Sequence, residues 1–242
     1  MRAAVLTEPG HLETQTRPVP APSAGDVLIR VASVGVCGSD THYYREGRIG
    51  DFVVESPLVL GHEASGVIVA VGDDVSPDRV GSRVSIEPQR PDPHSRETRS
   101  GRYNLCPHME FYATPPVDGA LCEYVTIGSE FAHDVPDSVS DDAAALIEPL
   151  SVAIATARKA GITGGSRVLV AGAGPVGLLT AQVARAFGAT EIVVSDVSTT
   201  RRDGATRYGA TRVIDPAAES VHGLDVDAFV EVCRTRSVVQ DE

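Results

Sequence analysis

A chain of 242 residues with a hydrophobic share of 42% has the length and composition for one large or two ordinary globular domains. Its 33 Asp and Glu against 21 Lys and Arg give a formal charge of −12, which argues against nucleic acid as a partner. No charged and apolar leader opens it, and the longest uncharged stretch, 168–184, is shorter than the roughly 20 residues of a membrane helix, so no membrane contact and a cytoplasmic location are expected.

In chain order, the first 130 or so residues predict β structure. Segments 3–7, 26–36, 64–72, 81–86 and 120–127 are β-branched and bounded by Gly, Asp or Pro. Residues 88–119 are proline-rich, charged and aperiodic, as in a long surface lobe. The composition turns helical at 141–160, with Pro149 restarting or kinking that helix. From there strand and helix alternate: strand Arg167–Ala171, helix 175–187, strand Glu191–Ser195, helix 200–208, strand Arg212–Ile214, strand 227–232. This is a parallel βαβαβ pattern, so two domains are expected, 1–148 and 149–242.

The second domain carries Gly172-Ala-Gly174-Pro175-Val176-Gly177 between an apolar strand and a helix. Glycines in that spacing make a tight turn, admit a pyrophosphate to backbone N–H groups and let helix and strand pack closely. The next strand ends in Asp196, placed to accept from both hydroxyls of an adenine ribose and to repel a 2′-phosphate. NAD is therefore expected over NADP, although Arg201 and Arg202 lie close enough to soften the repulsion.

The first domain holds candidate zinc ligands at turns: Cys37, then His62 and Glu63, with Glu148 at the domain junction. Catalytic zinc takes about three such protein ligands and keeps one position open. Singly, each has a structural reading: a buried apolar thiol, a core histidine, solvated acids. The four cysteines, Cys37, Cys106, Cys122 and Cys233, form no C-x-x-C pair, which suits reduced thiols in a cytosolic protein. Lys159 is the single lysine, a bias that fits either a high-salt habitat or arginine-rich codon usage.

Together the segments Cys37-Gly-Ser-Asp-Thr-His-Tyr-Tyr44, Gly47-Arg-Ile-Gly50, Gly61-His-Glu-Ala-Ser65, Gly101-Arg-Tyr-Asn-Leu105, Ala113-Thr-Pro-Pro116, Asp118-Gly119 and Ala145-Leu-Ile-Glu-Pro-Leu-Ser-Val152 resemble the sorbitol (polyol) dehydrogenase branch of the zinc-dependent medium-chain dehydrogenases. The resemblance spans about residues 1–230. It implies a GroES-like β-barrel catalytic domain followed by a Rossmann domain, and the oxidation of a sugar alcohol such as sorbitol or xylitol to the ketose. Cys37, His62 and Glu63 would hold one catalytic zinc, with Glu148 a further ligand or a water-mediated neighbour. Ser39 and His42 would relay the alcohol's proton, while Tyr44, Phe111 and Thr114 would line the substrate pocket. A second, structural zinc is not expected, because the lobe offers only Cys106. Relatives with the same site oxidise threonine, butanediol or glucose, and a homo-tetramer or dimer is the expected assembly.

Family chains run about half as long again. After 227–232 they have a glycine-containing turn and two further strands, where this chain has Cys233-Arg-Thr-Arg-Ser-Val-Val-Gln-Asp-Glu242 and then ends. A truncated or frame-shifted product with an incomplete Rossmann sheet is therefore expected, prone to edge association. The competing expectation is a non-catalytic remnant that binds zinc or nucleotide at most.

Overall fold

Period-two alternation builds the first half of the chain. In strand Asp26–Gly35, Val27 and Ile29 are fully buried while Arg30 between neighbours faces solvent. The computed structural model describes residues 1–233 and divides into two units, Met1–Glu148 and the chain from Pro149 onward. In the first unit, five antiparallel strands run in the order Tyr124–Gly128, Asp26–Gly35, Glu63–Val71, Arg83–Ile86, Ala132–Asp134. A three-stranded sheet of His11–Thr16, Arg2–Glu8 and Leu58–Val59 meets it through the bridge between Ala3 and Cys122. The sheet curls around Val27, Ile29, Ile68, Val84, Ile86 and Ile127, and Gly66 permits the central crossing: a Cβ there would sit 2.3 Å from the Arg30 carbonyl oxygen.

Two features depart from the sequence expectation, and a third, the break expected near Pro149, is located by the structure. His11–Thr16 forms a strand although it is almost wholly exposed and shows no apolar alternation, because pairing with Arg2–Glu8 supplies its backbone partners. The turn after Cys37 is a helix, Gly38–Glu46, whose polar residues carry no helical apolar period. The helix expected over 141–160 is two, Asp141–Ala145 and Ile147–Lys159. Pro149 sits in the first turn of the second helix, where no N–H is needed. Its ring would meet the carbonyl four residues back, at Ala145, so the break falls one turn before the proline. The lobe contributes a two-residue ladder, Gln89–Arg90 with Glu110–Phe111.

In the second unit, parallel strands lie in the order Arg212–Ile214, Glu191–Ser195, Arg167–Ala171, Ala228–Glu231. Val168 and Val170 pack on one face with Ala181, Ala184 and Ala157, and Leu169 packs on the other with Val193 and Ile214, as a sheet covered on both sides requires. In chain order this is 3-2-1-4, the first half of a doubly wound sheet. Its topological switch point falls beside the glycine turn that ends Arg167–Ala171. The departure from a glycine-containing turn expected from Cys233 onward falls, beyond Cys233 itself, on residues 234–242, which lie outside the described residues. Among the described residues no helix is long and apolar enough to cross a membrane.

Candidate metal centre and nucleotide cradle

Strand Asp26–Gly35 delivers Cys37, which caps helix Gly38–Glu46, and His62 immediately precedes strand Glu63–Val71. The register sets Gly35 opposite Glu63. A Cβ on Gly35 would stand 2.1 Å from Glu63 Oε2, so the glycine leaves the space that this carboxylate occupies. The Cys37 sulfur, a His62 ring nitrogen and a Glu63 oxygen lie within 4.8 Å of one another, and among the described residues they form the one cluster of this kind.

Asp40 ties the two loops together. Its Oδ2 accepts from the Cys37 N–H at 2.9 Å and its Oδ1 from the Gly61 N–H at 2.8 Å, while Oδ1 stands 4.0 Å from His62 Nδ1. The side chain is buried, and sequence reading passed over it. The available signal was its place three residues after Cys37, where an acid reaches back to the N-cap backbone.

Burial sets the electrostatics. It pushes the Cys37 thiol up, with Glu63 and Asp40 adding to the shift and hydrogen bonds from Ser39 opposing it. It also raises the Glu63 carboxyl, against the pull of His62 and of the Cys37 hydrogen bond. Glu148 stands outside the group of three, yet it is raised by burial and by Glu63 and lowered by His62, so it shares the same field. Burial thus disfavours the charged forms of the thiol and the two carboxyls, and a cation among them would favour those forms. One soft sulfur, one nitrogen and one hard oxygen make the donor set of a catalytic zinc site. The residues fit the ion.

Beside the cluster lies a cavity of about 370 Å³. Ser39, Tyr43 and Thr114 bring hydroxyls to its wall, Ile49, Phe52 and Met109 bring apolar surface, and the Phe111 ring stands 5.6 Å from that of His62. Burial raises the Tyr43 phenol, and a hydrogen bond with Thr114 opposes that rise. Of the sequence candidates, Ser39, Phe111 and Thr114 lie in this wall. Tyr44 does not, whereas Tyr43 does; both tyrosines also pack with Leu6, Leu58 and Leu60. The helix explains the exchange: four residues after Ser39, Tyr43 lies on the same face, and Tyr44 is turned about 100° away. His42 is partly exposed, with Nδ1 3.3 Å from Glu46 Oε1.

In the second unit the three glycines have three different reasons. Gly172 has φ +108°. A Cβ on Gly174, the N-cap of helix Pro175–Ala186, would meet nothing within 4 Å, leaving the helix N-terminus open to an anion. A Cβ on Gly177 would lie 1.8 Å from the Gly172 carbonyl oxygen. Pro175 starts the helix with its fixed φ, and the Val176 carbonyl accepts from the Thr180 hydroxyl at 2.8 Å. Buried Asp196 accepts from the Ala173 N–H through Oδ2 and from the Ser198 N–H through Oδ1, both at 2.8 Å. A carboxylate has about four acceptor sites, so two remain for a pair of hydroxyls. Arg201 Nη1 stands 3.9 Å from Asp196 Oδ2 on a largely exposed side chain, whereas Arg202 is engaged with Asp215 at 2.7 Å and with the Asp196 carbonyl.

Comparison with known proteins agrees with both halves. Residues 23–137 match the alcohol dehydrogenase GroES-like domain, and 175–240 match the zinc-binding dehydrogenase family. Human sorbitol dehydrogenase is 47% identical over 89% of this chain and 60% of its own length. Sorbitol dehydrogenase of Bacillus subtilis strain 168 is 44% identical over 96% of this chain and 67% of its own. The crystal structure of a zinc-binding dehydrogenase from Sinorhizobium meliloti 1021, bound to NADP, superposes with a TM-score of 0.87 at 30% identity, over 97% of this chain and 70% of that one. The chain belongs to the zinc-dependent medium-chain dehydrogenase family, on its sorbitol dehydrogenase branch. It spans about 60% of the length of the human relative.

Proposed function

We propose that this chain carries the metal and nucleotide sites of an NAD-linked dehydrogenase that oxidises a secondary alcohol of a polyol, of the sorbitol or xylitol class, to the ketose. The observation that carries this reading is the convergence of Cys37, His62 and Glu63 beside a cavity wall bearing three hydroxyl side chains. Cys37, His62 and Glu63 would hold one zinc ion, with Glu148 as a further ligand or a neighbour through water. Bound there, zinc would supply a Lewis acid that makes the alcohol easier to deprotonate.

The chain's own residues account for the rest. Ser39 accepts the hydroxyl proton, and His42, three residues along the same helix and partly exposed, passes it toward solvent. Tyr43 and Thr114 offer hydrogen bonds to further hydroxyls of the substrate, and Phe111 closes the wall against His62. Gly172, Gly174, Pro175, Val176 and Gly177 cradle the dinucleotide's pyrophosphate, while Asp196 takes the adenine ribose and Arg201 covers it from the exposed side. NAD is the favoured cofactor: the Asp196 carboxylate would repel a 2′-phosphate, and Arg202 is already committed to Asp215. All four cysteines are free, which suits a cytoplasmic setting.

The test is NADH formation, followed by absorbance, on a panel of polyols with zinc-loaded chain. Polyol-dependent turnover abolished by a chelator and by Cys37→Ala is the expected result. Absence of turnover on every polyol, with zinc bound and the fold intact, would reduce the chain to a zinc- or nucleotide-binding remnant.

A further inference from the structure

The wall that carries Phe111 and Thr114 has little of its own to hold it. Phe111 belongs to a ladder only two residues long, pairing with Gln89 while Glu110 pairs with Arg90, and residues 91–109 loop out between the two strands. Isolated ladders of that size are unstable in water. Within the same wall Ala113 holds φ +56°, a left-handed conformation that a residue with a side chain keeps only when its flanks dictate it.

The flanks are anchored from one point. Arg90 Nη1 donates to Asp26 Oδ1 at 2.9 Å, and its Nη2 donates to Asp26 Oδ2 at 3.2 Å and to the Thr126 carbonyl at 2.7 Å. Asp26 is buried at the start of the central strand Asp26–Gly35, and Thr126 lies on the neighbouring strand Tyr124–Gly128. Tyr112 returns to the same Thr126 carbonyl with its hydroxyl at 2.5 Å, while its N–H donates to the Pro88 carbonyl at 2.9 Å. Arg90 and Tyr112 thus clamp the ladder to the barrel on either side of Phe111. A planar guanidinium forking onto a carboxylate fixes orientation as well as position.

We propose that Arg90 is a positioning residue: its fork onto Asp26 and Thr126 holds residues 111–114 in register and so keeps the Phe111 ring on His62 and the Thr114 hydroxyl in the cavity wall. Arg90 touches neither the cavity nor the metal ligands and acts through the ladder. Its consequence for substrate affinity rests on the polyol reading above; its consequence for the backbone does not.

Hydrogen exchange of the full chain tests the backbone part. The probes are the Tyr112 and Thr114 amides, bonded to the carbonyls of Pro88 and Phe111, with the Ile68 amide in the barrel as reference. Arg90→Met keeps much of the stem and removes the fork. It should speed exchange at Tyr112 and Thr114 on the order of tenfold or more, the scale of a lost charged hydrogen bond, and leave Ile68 within about twofold. Arg90→Lys, a point donor, should fall between. In the turnover assay Arg90→Met should raise KM for the polyol by about fivefold and change kcat by less than about twofold, a split that simple loss of folded protein does not produce. Unchanged exchange at 112 and 114 in folded Arg90→Met, or acceleration shared equally by Ile68, overturns the proposal. If Arg90→Met does not fold, unchanged exchange in Arg90→Lys overturns it equally. A wild-type chain without turnover would remove the polyol reading and leave the exchange result to decide the clamp.

Discussion

Gly177 and Gly174 stand three residues apart in one motif, and the structure assigns them opposite sensitivities. A methyl at Gly177 would be 1.8 Å from the Gly172 carbonyl oxygen and 3.2 Å from Val232 Cγ2. The nearer atom is backbone and cannot rotate away, so helix Pro175–Ala186 must separate from the strand beneath it. Overpacking of this kind costs about 3 kcal/mol, and the better helix propensity of alanine returns about 1 kcal/mol. The net loss of about 2 kcal/mol corresponds to a fall on the order of 10 °C in the melting of a unit this size. A methyl at Gly174 would meet no atom within 4 Å, so Gly174→Ala should cost only the difference between glycine and alanine at an N-cap, about 0.5–1 kcal/mol. The same methyl would stand where a pyrophosphate must approach the helix N-terminus. NADH affinity in Gly174→Ala should therefore drop about tenfold or more. Thermal melting without nucleotide and fluorescence titration with NADH read the two effects separately. Gly177→Ala melting within a degree or two of the wild type, or Gly174→Ala binding NADH unchanged, would refute the assignment of roles.

Zinc at a hundred times its dissociation constant should stabilise the first unit by about 2.7 kcal/mol, a rise of about 5–10 °C that Cys37→Ala should remove; an equal rise in that variant would place the ion elsewhere. Asp40→Asn turns one acceptor of a backbone N–H into a competing donor and should weaken zinc binding about 10–100-fold in a chelator competition; unaltered affinity would show that Asp40 does not orient the ligands. In zinc-free protein, burial raises Glu63 and Glu148 above the ordinary 4.5 and Cys37 above 9.0. Groups raised on folding contribute stability while protonated, present below the unfolded value and lost as pH climbs through the window up to the folded one. The denaturant midpoint of zinc-free protein should accordingly decline as pH rises above 4.5 and again above 9.0, and added zinc, which binds the deprotonated ligands, should counter the decline. A flat zinc-free profile would contradict the cited shifts.

What could be foreseen was what the chain states locally. The strand, glycine turn, helix and acidic strand end of the second unit are contiguous in sequence, and the tightest constraint on the turn, Gly177 against the Gly172 carbonyl, is local to it. Helix Gly38–Glu46 was hidden because its stability comes from outside its own pattern: Asp40 caps the Cys37 backbone and reaches across to Gly61. Tyr43 was hidden with it, since only helical spacing turns residue 43 onto the face of Ser39. Strand His11–Thr16 was equally silent, its only reason to be a strand being its partner. Arg90 gave no sign at all, for nothing in Pro-Gln-Arg-Pro indicates an aspartate 64 positions away.

The two sites also store their chemistry differently, and that difference decides how each responds to change. The nucleotide cradle is written in backbone: a positive φ at Gly172, open space at Gly174, a close approach at Gly177. It exists before any ligand arrives, so its variants should report mainly on packing or on access. The metal centre is written in buried side chains whose charged forms burial opposes until a cation arrives. Without a cation the cluster loses stability as pH rises, because burial opposes the ionised forms of the two carboxyls and the thiol. The convergence of the three donors therefore supports the proposed zinc site more strongly than any one of its residues does. A solvated acid or an apolar cysteine would have no reason to sit within 4.8 Å of the others behind a glycine that makes room for one of them.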